Sequence, residues 1–161
     1  MSRNTIVAVD AMGGDNAPEA IVAGAVRALR QNQDLEILLA GPEEKLRALT
    51  ADAGDVAGRI GYIPAAEVIG MDEAPMLAVR RKADSSMVQA TLAVRDGRAQ
   101  AMVSAGSTGA VLACGMFRLG RIQGIERPAL AILFPGVQKP FLLLDCGANA
   151  DCQSKYLDQF G

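Results

Sequence analysis

"MVSAGSTGAVLACG", residues 102–115, runs from one apolar stretch through a turn of small residues into a second apolar stretch. The first reads as the end of a strand and the second as a helix, so the turn between them decides the fold. It carries Gly106, Gly109 and three hydroxyls, Ser104, Ser107 and Thr108. Two readings are open. One is a tight turn and nothing more. The other is a cradle for an anion, because the N–H groups at a helix start attract negative charge.

Working outward, the same strand–turn–helix grammar repeats. "TIVAVD" (5–10) is a short apolar run that ends in an acid, and "EAIVAGAVRALRQ" (19–31) places Ile21, Val22, Ala25, Val26 and Leu29 at helical spacing. Asn16 is the expected cap of that helix, with Pro18 near its first turn. "LEILLAG" (35–41) and "RIGYIP" (59–64) read as strands around a short helix in "PEEKLRALT". A loop at 65–75 precedes a helix over 76–82. The next helix has Ser85 or Ser86 as its expected cap and Met87, Val88, Thr91 and Leu92 on one face. "QAMVSA" (100–105) is a strand, and the helix after it is expected to bury Val111, Leu112, Gly115, Met116 and Leu119. "ALAILFP" and "FLLLDCG" are two further strands, expected to be antiparallel across "GVQKP". "QSKYLDQFG" begins one more helix. Strands that are continuous apolar runs, alternating with helices, point to a mostly parallel α/β sheet covered on both faces.

Composition narrows the function classes. The chain has 161 residues, half of them hydrophobic, few aromatics and no Trp, which suits one domain with an aliphatic core. Sixteen basic against eighteen acidic residues leave no bulk electrostatic case for nucleic acid. Arg80, Arg81, Lys82, Arg95, Arg98, Arg118, Arg121 and Arg127 crowd the stretch from 80 to 127, as solvated helix faces or as a patch for an acidic partner. Three cysteines without a CxxC pair suit a reducing cytoplasm and read as core or near-core residues. No stretch approaches the ~20 apolar residues of a spanning helix. With no histidine, a Ser-His-Asp triad and a histidine base are excluded.

In parallel α/β sheets, ligands sit beyond the carboxyl ends of the strands. Three unusual loops are expected there: "DAMGGDNAP", "SAGSTGA" and "DCGANAD". Each has an ordinary reading as backbone accommodation and helix capping. Three at one edge favour a ligand site instead, gathering Asp10, Asp15 and Asn16 with Asp145, Asn149 and Asp151. Neither GxxxxGK[ST] nor GxGxxG is present, so a phosphate is the modest inference and a nucleotide is not. "RRKADSSM" (80–87) is a second candidate anion site, with Lys82, Ser85 and Ser86 at a helix start. Mg²⁺ on the carboxylates is the rival chemistry.

Taken in order, "VAVDAMGGDNAP", "VRRKADSSM", "VSAGSTGA", "GIERPAL" and "LLLDCGANAD" closely resemble the bacterial phosphate acyltransferases of the PlsX family, from about residue 5 to the end. The resemblance implies a Rossmann-like α/β/α sandwich similar to phosphotransacetylases and to isocitrate and isopropylmalate dehydrogenases. It implies transfer of a fatty acyl group from acyl-carrier protein to inorganic phosphate, giving acyl phosphate for phospholipid synthesis. It also implies a cytoplasmic homodimer, peripheral on the membrane, that feeds a glycerol-3-phosphate acyltransferase. Family members usually read "SAGNTGA", so Ser107 stands where an Asn is usual. They are also substantially longer. The chain is therefore expected to be one α/β domain, incomplete at its C-terminal end, whose missing half supplies the other side of the cleft.

Lys82, Ser107 and Thr108 are then the expected catalytic residues. Asp10, Gly13, Gly14, Ser85, Ser86, Ser104, Gly106, Gly109, Asp145, Asn149 and Asp151 are the expected substrate- and phosphate-binding set, with no metal and no cofactor. Two alternatives stay open: a Mg²⁺-dependent phosphotransferase or dehydrogenase of related fold, and a non-catalytic half-protein that binds carrier protein.

Overall fold

The computed structural model describes residues 4–149 and 151–160. The chain divides into two compact units between Leu119 and Gly120.

The first unit holds β1 (Thr5–Asp10), α1 (Glu19–Gln31), β2 (Leu35–Gly41), α2 (Glu43–Leu49), β3 (Ile60–Pro64), α3 (Pro75–Arg81), α4 (Ser86–Arg95), β4 (Ala101–Val103) and α5 (Thr108–Cys114). Its four strands pair in parallel in the order β3-β2-β1-β4. Successive side chains on β1 alternate faces. Val9 meets Val22, Val26 and Leu29 of α1 and Leu46 of α2, beside Ile37 and Leu39 of β2. Ala8 faces the other way, with Ala40, against Ala90 and Ala93 of α4. Alanine on both sides of that second contact lets α4 lie close to the sheet. Three layers result, with β1 central and its Asp10 end on the α4 side.

Three expectations need correction. α1 starts one turn after Asn16, so that side chain is out of reach of the first free N–H groups; Pro18 takes the cap position and no side chain caps it. Asn16 contributes only its carbonyl oxygen, which accepts from Ala20 N at 3.0 Å. Neither Ser85 nor Ser86 caps α4 with its hydroxyl: each Oγ is placed where it donates elsewhere, Ser85 to Lys82 O and Ser86 to Asp10 Oδ1, and accepts from no N–H of the first turn. On α5 the buried residues are Ala110, Ala113 and Cys114, whereas Leu119 is exposed. Ser107 Oγ accepts from Ala110 N and pins that small-residue face inward against α3 and α4. After Cys114 the backbone widens into a π-type turn over Gly115–Leu119, which carries the later apolar residues out of register.

In the second unit β5 (Ala131–Phe134) and β6 (Phe141–Leu144) form the expected antiparallel pair, followed by α6 (Ser154–Phe160). Phe134 and Phe141 stack across it, with ring centroids 5.8 Å apart. Both strands read as buried, yet every residue of both is exposed. Of the cysteines, Cys114 is buried, Cys146 half-buried and Cys152 exposed, so the near-core reading fails for Cys152, which lies in the loop beside Asp145.

Candidate functional site

Because β1 and β4 are parallel neighbours, with Val9 opposite Val103, the loops that leave their carboxyl ends must meet. They meet on Asp10. Its side chain is 1% exposed. Oδ1 accepts from Ser86 Oγ at 2.5 Å and from Met12 N at 3.3 Å, and Oδ2 accepts from Ser104 Oγ at 2.7 Å. Ser104 Oγ in turn accepts from Gly106 N at 3.0 Å. One carboxylate thus ties β1, the first turn of α4 and the β4–α5 loop together. Charge-assisted hydrogen bonds of this kind offset the cost of burying the carboxylate.

The glycines here are required by close approach. A Cβ at Gly13 would lie 2.5 Å from Asp10 Oδ2, 2.9 Å from Gly106 N and 2.9 Å from Ser104 Oγ. Gly14 has φ +102°, a backbone that side-chain-bearing residues rarely adopt, and lies against Ala105. A Cβ at Gly109 would meet Pro75 Cγ at 2.8 Å, so the start of α5 touches the start of α3.

These contacts sort the hydroxyls. Ser86 and Ser104 give their hydrogens to Asp10, and Ser85 gives its own to Lys82 O at 2.8 Å. Ser107 is the cap of α5. Among the described residues, Thr108 Oγ1 and the N–H groups of Ser107, Thr108 and Gly109 donate no hydrogen bond, and Thr108 and Gly109 are exposed. The exposed donors are therefore at Thr108 and Gly109, next to the unpaired N–H of buried Ser107. The serines behind them hold the loop in place.

Lys82 ends α3, with Nζ 2.5 Å from Glu73 Oε1 and 2.7 Å from Val68 O. The Lys82 ammonium and then Gly70 N–H hold the Glu73 carboxyl below its ordinary range. Sequence reasoning missed Glu73 and Pro75: neither belongs to a motif, and only the folding of the 65–75 loop onto α3 and α5 brings them in.

In the second unit Asp145 organises its own loop. It accepts from Leu130 N at 3.1 Å, Ala148 N at 3.2 Å, Asn149 N at 2.9 Å and Asn149 Nδ2 at 3.0 Å. Desolvation pushes its carboxyl up, but these donors outweigh it and the net shift is downward. Asn149 Nδ2 also reaches Pro128 O at 3.1 Å. Asp151 is exposed and forms no ion pair or side-chain hydrogen bond among the described residues. Among the described residues no group of three or more carboxylates and thiols gathers to hold a metal ion, and no helix is long and apolar enough to cross a membrane.

A parallel sheet with helices on both faces and a glycine-lined turn at its carboxyl edge defines a Rossmann-like α/β protein. A phosphotransacetylase from Streptococcus pyogenes shares this fold, with a TM-score of 0.71 at 20% identity over 99% of this chain and 52% of its own. The chain belongs to the fatty acid synthesis protein family, whose model matches residues 5–161. Phosphate acyltransferases from Clostridium botulinum (strain Loch Maree / Type A3) and Pelotomaculum thermopropionicum are 47% and 52% identical to it over 155 residues. Each alignment covers 96% of this chain but only 46% and 45% of those relatives, so the chain spans about half their length. A phosphate acyltransferase from Salinibacter ruber is 49% identical over 156 residues.

Proposed function

We propose that this chain supplies the phosphate-holding part of an acyltransferase that moves a fatty acyl group from acyl-carrier protein to inorganic phosphate. The observation that carries the reading is the Asp10 knot, beside which Thr108 and Gly109 are exposed with their donors unpaired among the described residues, within a chain 47–52% identical to phosphate acyltransferases. Phosphate is already an anion at neutral pH, so its attack needs no histidine base. A phosphate oxygen forms a bond to the thioester carbonyl carbon. The tetrahedral oxyanion then collapses, the C–S bond breaks, and the thiolate leaves and takes up a proton. Acyl phosphate and free carrier thiol are the products, destined for phospholipid synthesis. The protein's work is to hold the phosphate and to stabilise the oxyanion, and a single well-placed donor in such a site is worth about 3 kcal/mol.

In this reading Thr108 and the N–H groups of Ser107–Gly109 bind phosphate, while Gly13, Gly14, Gly106, Asp10, Ser86 and Ser104 shape and hold their loop. Lys82 and Ser85 act at the adjoining end of α3. Asp145, Asn149 and Asp151 belong to the binding face of the second unit. The working enzyme is a cytoplasmic homodimer, peripheral on the membrane and upstream of a glycerol-3-phosphate acyltransferase.

The test is to incubate the 161-residue chain with palmitoyl-carrier protein and inorganic phosphate and to follow free carrier thiol. Release that requires phosphate and persists in EDTA supports the reading. Release abolished by EDTA and restored by Mg²⁺ replaces it with metal-dependent chemistry. If nothing is released, the same assay on a chain extended to the relatives' length separates a partial site from a wrong assignment.

A further inference from the structure

We infer that the outer face of α3 is the docking surface for an acidic, helical carrier of the acyl group; this rests on the acyl-transfer reading above. α3 turns Ala78 and Val79 into the α3–α4–α5 core. It turns Met76 and Leu77, 54% and 47% exposed, to solvent. Arg80 and Arg81 follow four residues later on the same outer side. The Arg80 guanidinium lies over the Phe117 ring, 5.2 Å from its centroid, and Phe117 is itself exposed, so the apolar surface extends onto the turn after α5.

Charge separates this face from an ordinary helix end. Lys82 is held by Glu73, but neither Arg80 nor Arg81 makes an ion pair among the described residues. Two uncompensated guanidinium groups beside Met, Leu and Phe match the residue types enriched at protein interfaces. A groove of about 260 Å³ runs along the helix, lined by Glu73, Ala74, Leu77, Ala78, Arg81 and Lys82. It offers a seat for an apolar side chain, with positive charge at its edge.

The occupant that fits is an acidic protein helix with an apolar residue among its carboxylates. A flat anionic lipid surface fits less well. The helix has only seven residues, about 10 Å of length, and exposed Asp72 and Asp84 stand just beyond its two ends. Helices that lie in a membrane surface present longer apolar faces. So small a footprint gives the weak, transient contact that a shuttling carrier needs. Pro75, at the start of α3, packs against Gly109, so a partner seated here sits one helix away from the donors at 107–109.

The experiment is binding of fluorescently labelled holo-acyl-carrier protein to the 161-residue chain, read by anisotropy at low and moderate salt. R80E/R81E should weaken binding at least tenfold and flatten its salt dependence. M76S/L77S should weaken it with the salt dependence retained. R95E/R98E, the same charge change at the exposed end of α4 and in the turn after it, should leave it within twofold. Equal weakening by both charge reversals, no effect of R80E/R81E, or no binding by the wild-type chain overturns the inference. So does R80E/R81E abolishing binding to phosphatidylglycerol vesicles while carrier binding is unchanged, which would assign the face to lipid. The acyl-transfer reading fails on a different observable, thiol release that does not depend on phosphate.

Discussion

Asp10 and Ser86 stand 76 residues apart in the chain and 2.5 Å apart in the structure, joined by a buried hydrogen bond. Through it the end of the central strand is fastened to the start of α4, and through Ser104 the same carboxylate is fastened to the β4–α5 loop. The loop that faces the proposed ligand is held from behind by a group with 1% exposure.

Removing either hydroxyl leaves a buried carboxylate oxygen short of a donor. Ser86→Ala and Ser104→Ala should each cost about 1.5–3 kcal/mol, the range for hydrogen bonds to charged groups. Because both act on one carboxylate, the double variant should be non-additive by at least about 0.5 kcal/mol. Urea midpoints for the single and double variants check this, and strict additivity would show that Asp10 does not couple them.

Gly13→Ala should be the most damaging of the site's glycine substitutions. Its new Cβ would face backbone at Gly106 N and a buried carboxylate oxygen, neither of which can retreat cheaply. Overpacking of this sort costs about 1–3 kcal/mol. Gly106→Ala meets first the Met87 methyl at 3.0 Å, the far end of a flexible side chain, and should cost less. Thermal melts of the two variants give the ranking.

Thr108→Ala separates binding from folding. Its hydroxyl is exposed and donates to no described residue, so stability should hardly change. Phosphate-dependent thiol release should fall by about 10- to 100-fold, the equivalent of one hydrogen bond to a charged group. A stable Thr108→Ala chain with unchanged dependence on phosphate would remove Thr108 from the site.

The Glu73–Lys82 pair sets an acid-side dependence of stability. The Lys82 ammonium holds the folded-state pKa of Glu73 below the ordinary glutamate value of 4.5. Its contribution is therefore fully present above that value and is lost as pH falls through the lower, folded-state pKa. Glu73→Gln should flatten the fall of the urea midpoint across that acid window. An unchanged profile would mean that the pair contributes nothing to folding.

Much of this was legible in the sequence. "TIVAVD", "LEILLAG" and "RIGYIP" specify β1, β2 and β3 to within a residue, because runs of apolar residues bounded by turn signals are local information. α1 is legible for the same reason, through Val22, Ala25, Val26 and Leu29. The glycine motifs after β1 and β4 likewise point to one sheet edge from sequence alone. Less legible was the division of labour among the hydroxyls. Nothing in "SAGSTGA" distinguishes Ser104, turned back to Asp10, from Thr108, turned outward. That difference depends on partners tens of residues away.

The tertiary structure alone decided which groups are occupied and which are open. Hydrogen bonding is directional and each hydroxyl has one hydrogen, so assigning Ser86 and Ser104 to Asp10 removes them as donors to anything else. Lys82 is likewise placed by a contact across a folded loop: two of its three ammonium hydrogens go to Glu73 and to Val68 O. Apolar periodicity is written into consecutive residues and determined the elements. The pairing of polar groups depends on how closely those elements approach, and the alanines between α4 and the sheet set that distance.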